Sequence, residues 1–131
     1  MLVGMLQDSD LVAFLPTTDL ERAKRWFTDT IGLAFVEENP YACVFDSNGT
    51  PLRVTLVDDT LTPMPFTVLG WHVSDIAAAV DGLLERGVTF ERFESMGQDD
   101  RSIWTTPGGD KVAWFKDPDG NLLSLTGDAG A

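Results

Sequence analysis

The chain contains an internal repeat. Residues 12–20 (VAFLPTTDL) align with residues 68–76 (VLGWHVSDI), and residues 42–49 (ACVFDSNG) align with residues 113–120 (AWFKDPDG). The similarity occurs at the opening strand and again at the closing hairpin of each half, so one supersecondary unit is used twice. Function is therefore judged from the residues that occupy equivalent positions in the two copies.

The first half is predicted to fold as a β-α-β-β-β unit. An apolar strand at residues 11–15 precedes the capping-box pattern Thr18-x-x-Glu21, which is typical of a helix start. The helix is predicted over residues 19–30 and ends at Gly32. Strand-like segments follow at residues 34–37, 41–46 and 52–57, with Asn48-Gly49 in a hairpin turn.

The second half repeats this order. Ser74 is predicted to cap a helix whose apolar stripe runs from Ile76 to Leu84 and which Gly87 closes. Strands are predicted at residues 67–73, 88–93, 111–116 and 121–126. The pattern indicates an α+β protein with two βαβββ modules in tandem, at about residues 10–57 and 66–127, joined by a linker at 58–65 within one domain of residues 1–131.

Composition and charge exclude several classes of partner. The 131 residues are 44% hydrophobic, enough for one compact domain with a buried core. A net charge of −12 repels nucleic-acid phosphates and anionic lipids, so we expect neither nucleic acid nor a membrane as a partner. The chain shows no signal-peptide pattern, no long apolar run and a single cysteine, Cys43, so we expect a cytoplasmic protein.

Two segments carry a resemblance to a known family. They are residues 18–27 (TDLERAKRWF), followed after four residues by Gly32 and Leu33, and residues 115–124 (FKDPDGNLLS). This paired pattern resembles the vicinal oxygen chelate superfamily, which includes glyoxalase I, fosfomycin-modifying enzymes, extradiol dioxygenases and bleomycin resistance proteins. The resemblance covers about residues 10–127 and implies βαβββ modules whose sheets curl around a cleft. It also implies a homodimer, although the cleft can be intrachain or shared.

The resemblance also predicts where a metal ion would be bound. The metal enzymes of the family hold a divalent ion through residues that correspond here to Val12, Arg53, Val68 and Ser124. Valine has no donor atom, a guanidinium repels a cation, and a lone serine hydroxyl is a weak ligand. We therefore expect no metal and no other cofactor.

The resemblance places the cleft between the first and last strands of the modules. Its predicted lining residues are Val12, Phe14, Arg53, Thr55, Val68, His72, Leu122 and Ser124. Arg53 must meet either an internal carboxylate or an incoming anionic or carbonyl group, because a guanidinium brings five donors into a partly apolar space. His72 is interpreted either as a group at the cleft rim or as a hydrogen-bonded histidine near a strand end. The tryptophans are mostly interpreted as core residues, with at least one as a possible cleft wall.

Two classes of function remain open. The favoured hypothesis is a metal-free protein of the bleomycin-resistance type that binds a small organic molecule, preferably neutral or zwitterionic and aromatic. The alternative is a glyoxalase-like or dioxygenase-like enzyme, that is, a lyase, isomerase or oxygenase. Such an enzyme would use unmapped metal ligands, or would work without metal through Arg53 and His72. A weaker hypothesis is a module that acts mainly by forming oligomers.

Overall fold

The computed structural model describes residues 6–130, which form two similar halves. After a 3-10 turn at Leu6–Asp8, the first half consists of β1 (Ala13–Thr17), α1 (Leu20–Arg25), a π-helical turn (Trp26–Ile31), β2 (Ala34–Asn39), β3 (Ala42–Ser47) and β4 (Thr50–Leu56). The second half consists of β5 (Leu69–His72), α2 (Ile76–Glu85), β6 (Trp104–Thr105), β7 (Lys111–Lys116) and β8 (Leu122–Gly127). No helix within the described residues is long and apolar enough to cross a membrane.

Each half forms one four-stranded mixed sheet, and the strand order is the same in both. The orders are β1-β4-β3-β2 and β5-β8-β7-β6. The first strand of each half pairs in parallel with the last, whereas the other neighbours are antiparallel. The predicted α+β fold with tandem βαβββ modules is thereby confirmed.

The two helices begin in the same way. Asp19 and Asp75 are the N-caps, and their carboxylates accept hydrogen bonds from the backbone N–H groups of Arg22 and Ala78, at 3.1 and 3.0 Å. A carboxylate here also suits the positive end of the helix dipole. The sequence prediction that Thr18 and Ser74 cap the helices is wrong by one residue in each half.

The predicted helix over residues 19–30 changes its winding halfway. It is α-helical to Arg25 and π-helical from Trp26 to Ile31, and Gly32 ends it in the left-handed conformation with φ of 85°. The wider turn directs Phe27 into the core, where it is 1% exposed, and brings Trp26 to 6.3 Å from the Phe115 ring. This turn therefore contributes directly to the contact between the two halves.

The predicted strand at residues 88–93 is absent and is corrected here. Only Phe90 makes a bridge, with Phe115, and the outer strand of the second sheet is instead β6. The amide side chain of Gln98 accepts from the N–H of Phe93 at 2.7 Å and donates to the carbonyl of Glu91 at 2.9 Å. A side chain thus satisfies backbone groups that a strand would pair with a neighbour.

The closing hairpins differ by one residue. In the first half Phe45 pairs with Leu52, but in the second half Phe115 pairs with Leu123 across a longer turn. The extra residue accommodates the buried Asp117, which accepts hydrogen bonds from the backbone of Asp119 and Asn121 at 3.0 and 2.9 Å. The sequence alignment of residues 42–46 with 113–117 is therefore wrong by one position, and Phe45 corresponds to Phe115.

One hydrophobic core is shared by the two sheets. Each sheet has a covered face, which carries the helices and the core, and an open face on its other side. The core joins residues of both halves, including Leu15, Phe27, Phe45, Val54, Ile76, Val80, Phe115, Leu123 and Leu125. Because the covered faces meet in this common core, the two open faces point away from it.

Asp119 links the second hairpin to the start of α1. Its carboxylate accepts hydrogen bonds from the Thr17 hydroxyl at 2.6 Å, from the Thr18 N–H at 2.9 Å and from Arg22 Nη2 at 2.7 Å. The side chain of Asp119 is only 3% exposed. Burial acts to raise the pKa of Asp119, but the threonine hydrogen bonds and the Arg22 charge outweigh it and hold the pKa below its ordinary value.

We expect Asp119→Asn to lower the free energy of unfolding at neutral pH by about 1.5–3 kcal/mol, because an amide cannot accept from all four donors, which include the Thr18 hydroxyl at 2.8 Å. The folded-state pKa of Asp119 is depressed, so its stabilisation is present above the unfolded pKa and is lost as pH falls through the folded pKa. The stability difference between variant and wild type should therefore shrink below about pH 4. Urea unfolding across pH measures it, with the exposed Asp59→Asn as control. A difference that stays constant with pH would contradict this assignment.

Candidate functional site

The open face of the first sheet presents a row of three side chains. Arg53 pairs with Phe14 on one side and with Val44 on the other, so these residues lie side by side across β1, β4 and β3. Phe14 is 62% exposed even though its neighbour Leu15 is in the core. A pocket of about 470 Å³ lies over this face and is lined by Phe14, Leu15, Pro16, Arg53, Thr55 and Val57.

Arg53 is the main polar group of this pocket. It is half-buried, and within residues 6–130 it makes no salt bridge and no side-chain hydrogen bond. The alternative of an internal ion pair is therefore not what the described structure shows. The flanking Phe14 and Val44 offer it no acceptor, so its donors are available to an incoming carboxylate, phenolate or carbonyl group.

The open face of the second sheet has an equivalent row with different chemistry. Ser124 pairs with Gly70 and with Trp114, so it takes the place that Arg53 has in the first sheet. A Cβ atom on Gly70 would lie 2.4 Å from the Ser124 hydroxyl, closer than any real contact. Ser124 and Leu122 are 6% and 8% exposed, so they form the floor of this face rather than protrude from it.

Three aromatic side chains lie on the second open face. They are Phe93, Trp104 and Trp114, and we call them the tryptophan platform. The rings of Trp104 and Trp114 are stacked at 6.1 Å with an interplanar angle of 28°. Phe93 meets Trp114 edge-on at 5.4 Å, and Trp114 Nε1 donates to Thr67 Oγ1 at 3.0 Å. Both tryptophans are only partly buried, so their rings remain available for stacking.

The sequence interpretation left the tryptophans between core and cleft wall, and these contacts place Trp104 and Trp114 on the open face. The outward position of Trp114 could have been predicted from strand alternation in β7. Successive side chains of a strand point to opposite faces, and Ala113 and Phe115 are fully buried. Trp114 lies between these two residues and must face the other side. Trp104 joins it because it pairs with Val112, the next outward residue of β7.

His72 lies at the end of β5 and is paired with a carboxylate. Its Nε2 is 2.9 Å from Asp128 Oδ1, with side-chain exposures of 61% and 77%. The structure therefore places it as a hydrogen-bonded histidine near a strand end, one of the two sequence interpretations. It lies too far toward the edge to act on Ser124, since its own partner in β8 is Thr126.

The eight predicted lining residues are divided between the two sheets. Val12, Phe14, Arg53 and Thr55 belong to the first sheet, and Val68, His72, Leu122 and Ser124 to the second. The two valines precede β1 and β5 and are about equally exposed, at 43% and 40%. A pocket over the first face is lined by first-half residues alone, so one chain does not bring all eight residues into a single cleft.

The residues at the family metal positions do not fit a divalent ion. Val12 and Val68 offer no donor, Arg53 repels a cation, and Ser124 is a buried neutral hydroxyl. Within the part of the chain that the structure describes, no three His, Cys, Asp or Glu side chains are grouped in a way that could hold a metal. No chemical step at this site is therefore assigned to a metal.

Comparisons with known proteins agree on one family. A sequence model of the Glyoxalase/Bleomycin resistance protein/Dioxygenase superfamily matches residues 10–125. Among curated proteins, none shows significant sequence similarity to the chain.

Solved structures give the same fold over nearly the whole chain. TnmS3, an antibiotic binding protein from Streptomyces sp. CB03234, is 27% identical, with a TM-score of 0.70 over 95% of this chain and 99% of its own. A superfamily member from Sphaerobacter thermophilus is 25% identical, with a TM-score of 0.73 over 95% of this chain and 100% of its own. TioX from Micromonospora sp. ML1, at 20% identity and a TM-score of 0.69 over 90% of this chain and 97% of its own, shows the fold alone.

We expect the purified protein, without an affinity tag, to contain no stoichiometric nickel, zinc, iron or manganese, because the mapped positions lack suitable donors. A strong chelator should leave the melting temperature unchanged, since no bound ion contributes to the folded state. Elemental analysis and thermal unfolding measure both quantities. One tightly held ion per chain that is lost on substitution of Ser124 would contradict the expectation.

Proposed function

The chain belongs to the Glyoxalase/Bleomycin resistance protein/Dioxygenase superfamily, and we propose that it is a metal-free protein that binds a small aromatic molecule on its open sheet faces. The proposal rests mainly on Arg53. Its guanidinium lies in an apolar pocket and has no hydrogen-bond or salt-bridge partner among the described residues. Ligand sites are typically apolar surfaces with a few polar groups that orient the ligand. The first open face has this composition.

The chemistry of the two faces indicates the class of ligand. Arg53 favours a carboxylate, phenolate or polarised carbonyl, whereas the tryptophan platform favours a flat π-system. The acidic net charge of −12 disfavours a multiply charged anion, although surface fields are screened over about 8 Å at physiological salt. A planar aromatic compound with one or two carbonyl or phenol oxygens satisfies all three conditions.

The site is proposed to be completed by a second copy of the chain. Each open face supplies one wall, but a small-molecule site usually encloses 70–90% of its ligand. In a twofold dimer, the first sheet of one protomer would face the second sheet of its partner. Arg53 would then lie opposite the partner's tryptophan platform in each of two equivalent sites. The exposed Phe14 and Val68 would then be covered.

The similarity to TnmS3 supports this ligand class. That protein is described as an antibiotic binding protein, and it aligns with 95% of this chain at 27% identity. An organic molecule with both a ring system and oxygen groups could contact the tryptophan platform with the one and Arg53 with the other. We propose that the ligand here is an antibiotic-like aromatic compound that is held without chemical change.

The metal-free enzyme alternative has less support from the geometry. It requires Arg53 and His72 to act on one reacting group, but His72 lies at the end of β5, two residues beyond Gly70, which pairs with Ser124 in the row equivalent to that of Arg53. His72 is also tied to Asp128 on the surface. Ligands should therefore be recovered unmodified by mass spectrometry after long incubation, and turnover would favour the enzyme.

We expect Arg53→Ala to weaken binding of a carbonyl-bearing or anionic aromatic ligand by about 1.5–3 kcal/mol, the scale of a charge-assisted hydrogen bond. Because Arg53 has no partner within residues 6–130, its removal should leave the melting temperature of the free protein nearly unchanged. Hits from a thermal-shift screen of aromatic natural products, followed by calorimetric titration, provide the measurement. The exposed helical Arg25→Ala is the matched control. Unchanged affinity together with lower stability would instead mean that Arg53 is structural.

We expect Phe14→Glu to convert a dimer into monomers, because a charge would be buried at the proposed contact between open faces. Sedimentation velocity of the wild type and the variant over a range of concentrations measures this. Leu84→Glu is the control, since Leu84 is a 46% exposed apolar residue on α2, away from both open faces. A wild type that stays monomeric at all concentrations, or a Phe14→Glu variant that remains dimeric, would contradict the shared site.

A further inference from the structure

A separate pocket lies at the seam between the two halves, and we propose that it is a second ligand site, which takes a small hydrophobic carboxylate. Its volume is about 360 Å³, and it lies between α2, β5 and the end of the π-helical turn. We call it the seam pocket, and its walls include Ile31, Trp71, Gly82, Phe115 and Leu125. The inference does not depend on the function proposed for the open faces.

The seam pocket is on the opposite side of the second sheet from the tryptophan platform. Phe115 lines the seam pocket, whereas the adjacent Trp114 belongs to the open face. Trp71 stacks on Phe115 at 6.4 Å and also lines the pocket. A ligand in the seam pocket therefore contacts one tryptophan that a ligand on the open face does not touch.

The residues that line the seam pocket are mainly apolar, and the space beside α2 is not filled by side chains. A Cβ atom built on Gly82 meets no atom within 4 Å, so α2 leaves the pocket unfilled at this position. Phe115 is fully buried and Leu125 nearly so, and together they give the pocket a hydrocarbon floor. Burial of an aromatic or aliphatic group here is favourable because it removes apolar surface from water.

The polar groups at the seam pocket are hydrogen-bond donors. Arg86 donates one hydrogen bond to the Thr30 carbonyl at 3.3 Å, and its remaining N–H groups have no partner within residues 6–130. The Ser47 hydroxyl accepts from Trp71 Nε1 at 3.0 Å, which leaves its own proton free to donate. A cation and a hydroxyl donor beside apolar walls match a single carboxylate on a hydrophobic body.

The chemistry of the rim selects a carboxylate over a phosphate. Arg86 is the one arginine or lysine among the described residues that line this pocket. His72, also at the pocket, has Asp128 as its partner at 2.9 Å and adds little net charge. One guanidinium balances one negative charge, whereas a dianion would be left partly uncompensated in a chain of net charge −12.

The test uses 4-phenylbutanoate as the probe and 4-phenylbutan-1-ol as its uncharged counterpart. Both are titrated into ¹⁵N-labelled protein while the tryptophan indole N–H signals are followed by NMR. The carboxylate should shift the Trp71 indole signal and the Gly82 backbone signal, and leave those of Trp104 and Trp114 in place. The alcohol should bind about tenfold more weakly, the difference that one charged hydrogen bond makes.

Three substitutions distinguish a ligand site from a crevice that binds nothing. Gly82→Leu fills the pocket from α2 and should abolish the Trp71 shift without lowering the melting temperature, since leucine favours the helix more than glycine. Arg86→Gln should remove the preference for the carboxylate over the alcohol. Arg53→Ala should leave the Trp71 shift unchanged, which keeps this test independent of the open faces.

Four results would overturn the assignment. The first is no Trp71 shift at any probe concentration, and the second is a shift confined to Trp104 and Trp114. The third is equal binding of carboxylate and alcohol in the wild type. Loss of binding in both Gly82→Leu and Arg53→Ala would also overturn it, because the probe would then occupy an open face.

Discussion

The carboxylate of Asp119 joins the two halves at the point where α1 begins. It accepts from Thr17, Thr18 and Arg22 while it is almost wholly removed from solvent. Such charge-assisted bonds are about twice as strong as neutral ones, and losing one partner would leave a buried charge without compensation. Asn121, in the same turn, adds a hydrogen bond to the Pro16 carbonyl at 3.0 Å. This link adds to the shared core, which brings the covered faces together and leaves both open faces pointing outward.

The division of the candidate site between two faces follows from that arrangement. Arg53 and the tryptophan platform occupy equivalent regions of the two sheets but differ in chemistry. The first face offers donors and a phenylalanine, and the second offers stacked rings above a floor that contains Ser124. Neither face resembles a metal site, because the repeat has valine at both first-strand positions. The repeat therefore gives two open faces with different chemistry, and the proposed site uses them as its two walls.

Local patterns predicted the repeat, the fold class, both helices and the outward position of Arg53, since each depends on residues close in sequence. The features that the sequence did not predict depend on contacts between residues far apart in the chain. Thr18 was predicted to cap α1, but its hydroxyl donates a hydrogen bond to Asp119 of the other half. The strand at residues 88–93 was lost to hydrogen bonds from Gln98, which no periodicity reveals. The sequence left open which tryptophans belong to the core, because hydrophobicity alone does not say which face of a strand a ring occupies. That Arg53 has no partner within residues 6–130 also became visible only in the tertiary structure.

The close approach of Gly70 to Ser124 ties together two positions that are distant along the chain. Position 70 has no room for a side chain while an Oγ atom occupies position 124, because the two would be 2.4 Å apart. A side chain at position 70 therefore requires the Ser124 hydroxyl to move away, and it would still lie close to the Ser124 carbonyl oxygen, which is 3.2 Å from the same Cβ position. Arg53 has no such restraint, since its neighbours Phe14 and Val44 are side chains at ordinary spacing. Single substitutions at the first open face can therefore be accommodated one at a time, whereas a side chain at position 70 needs a simultaneous change in the side chain of Ser124.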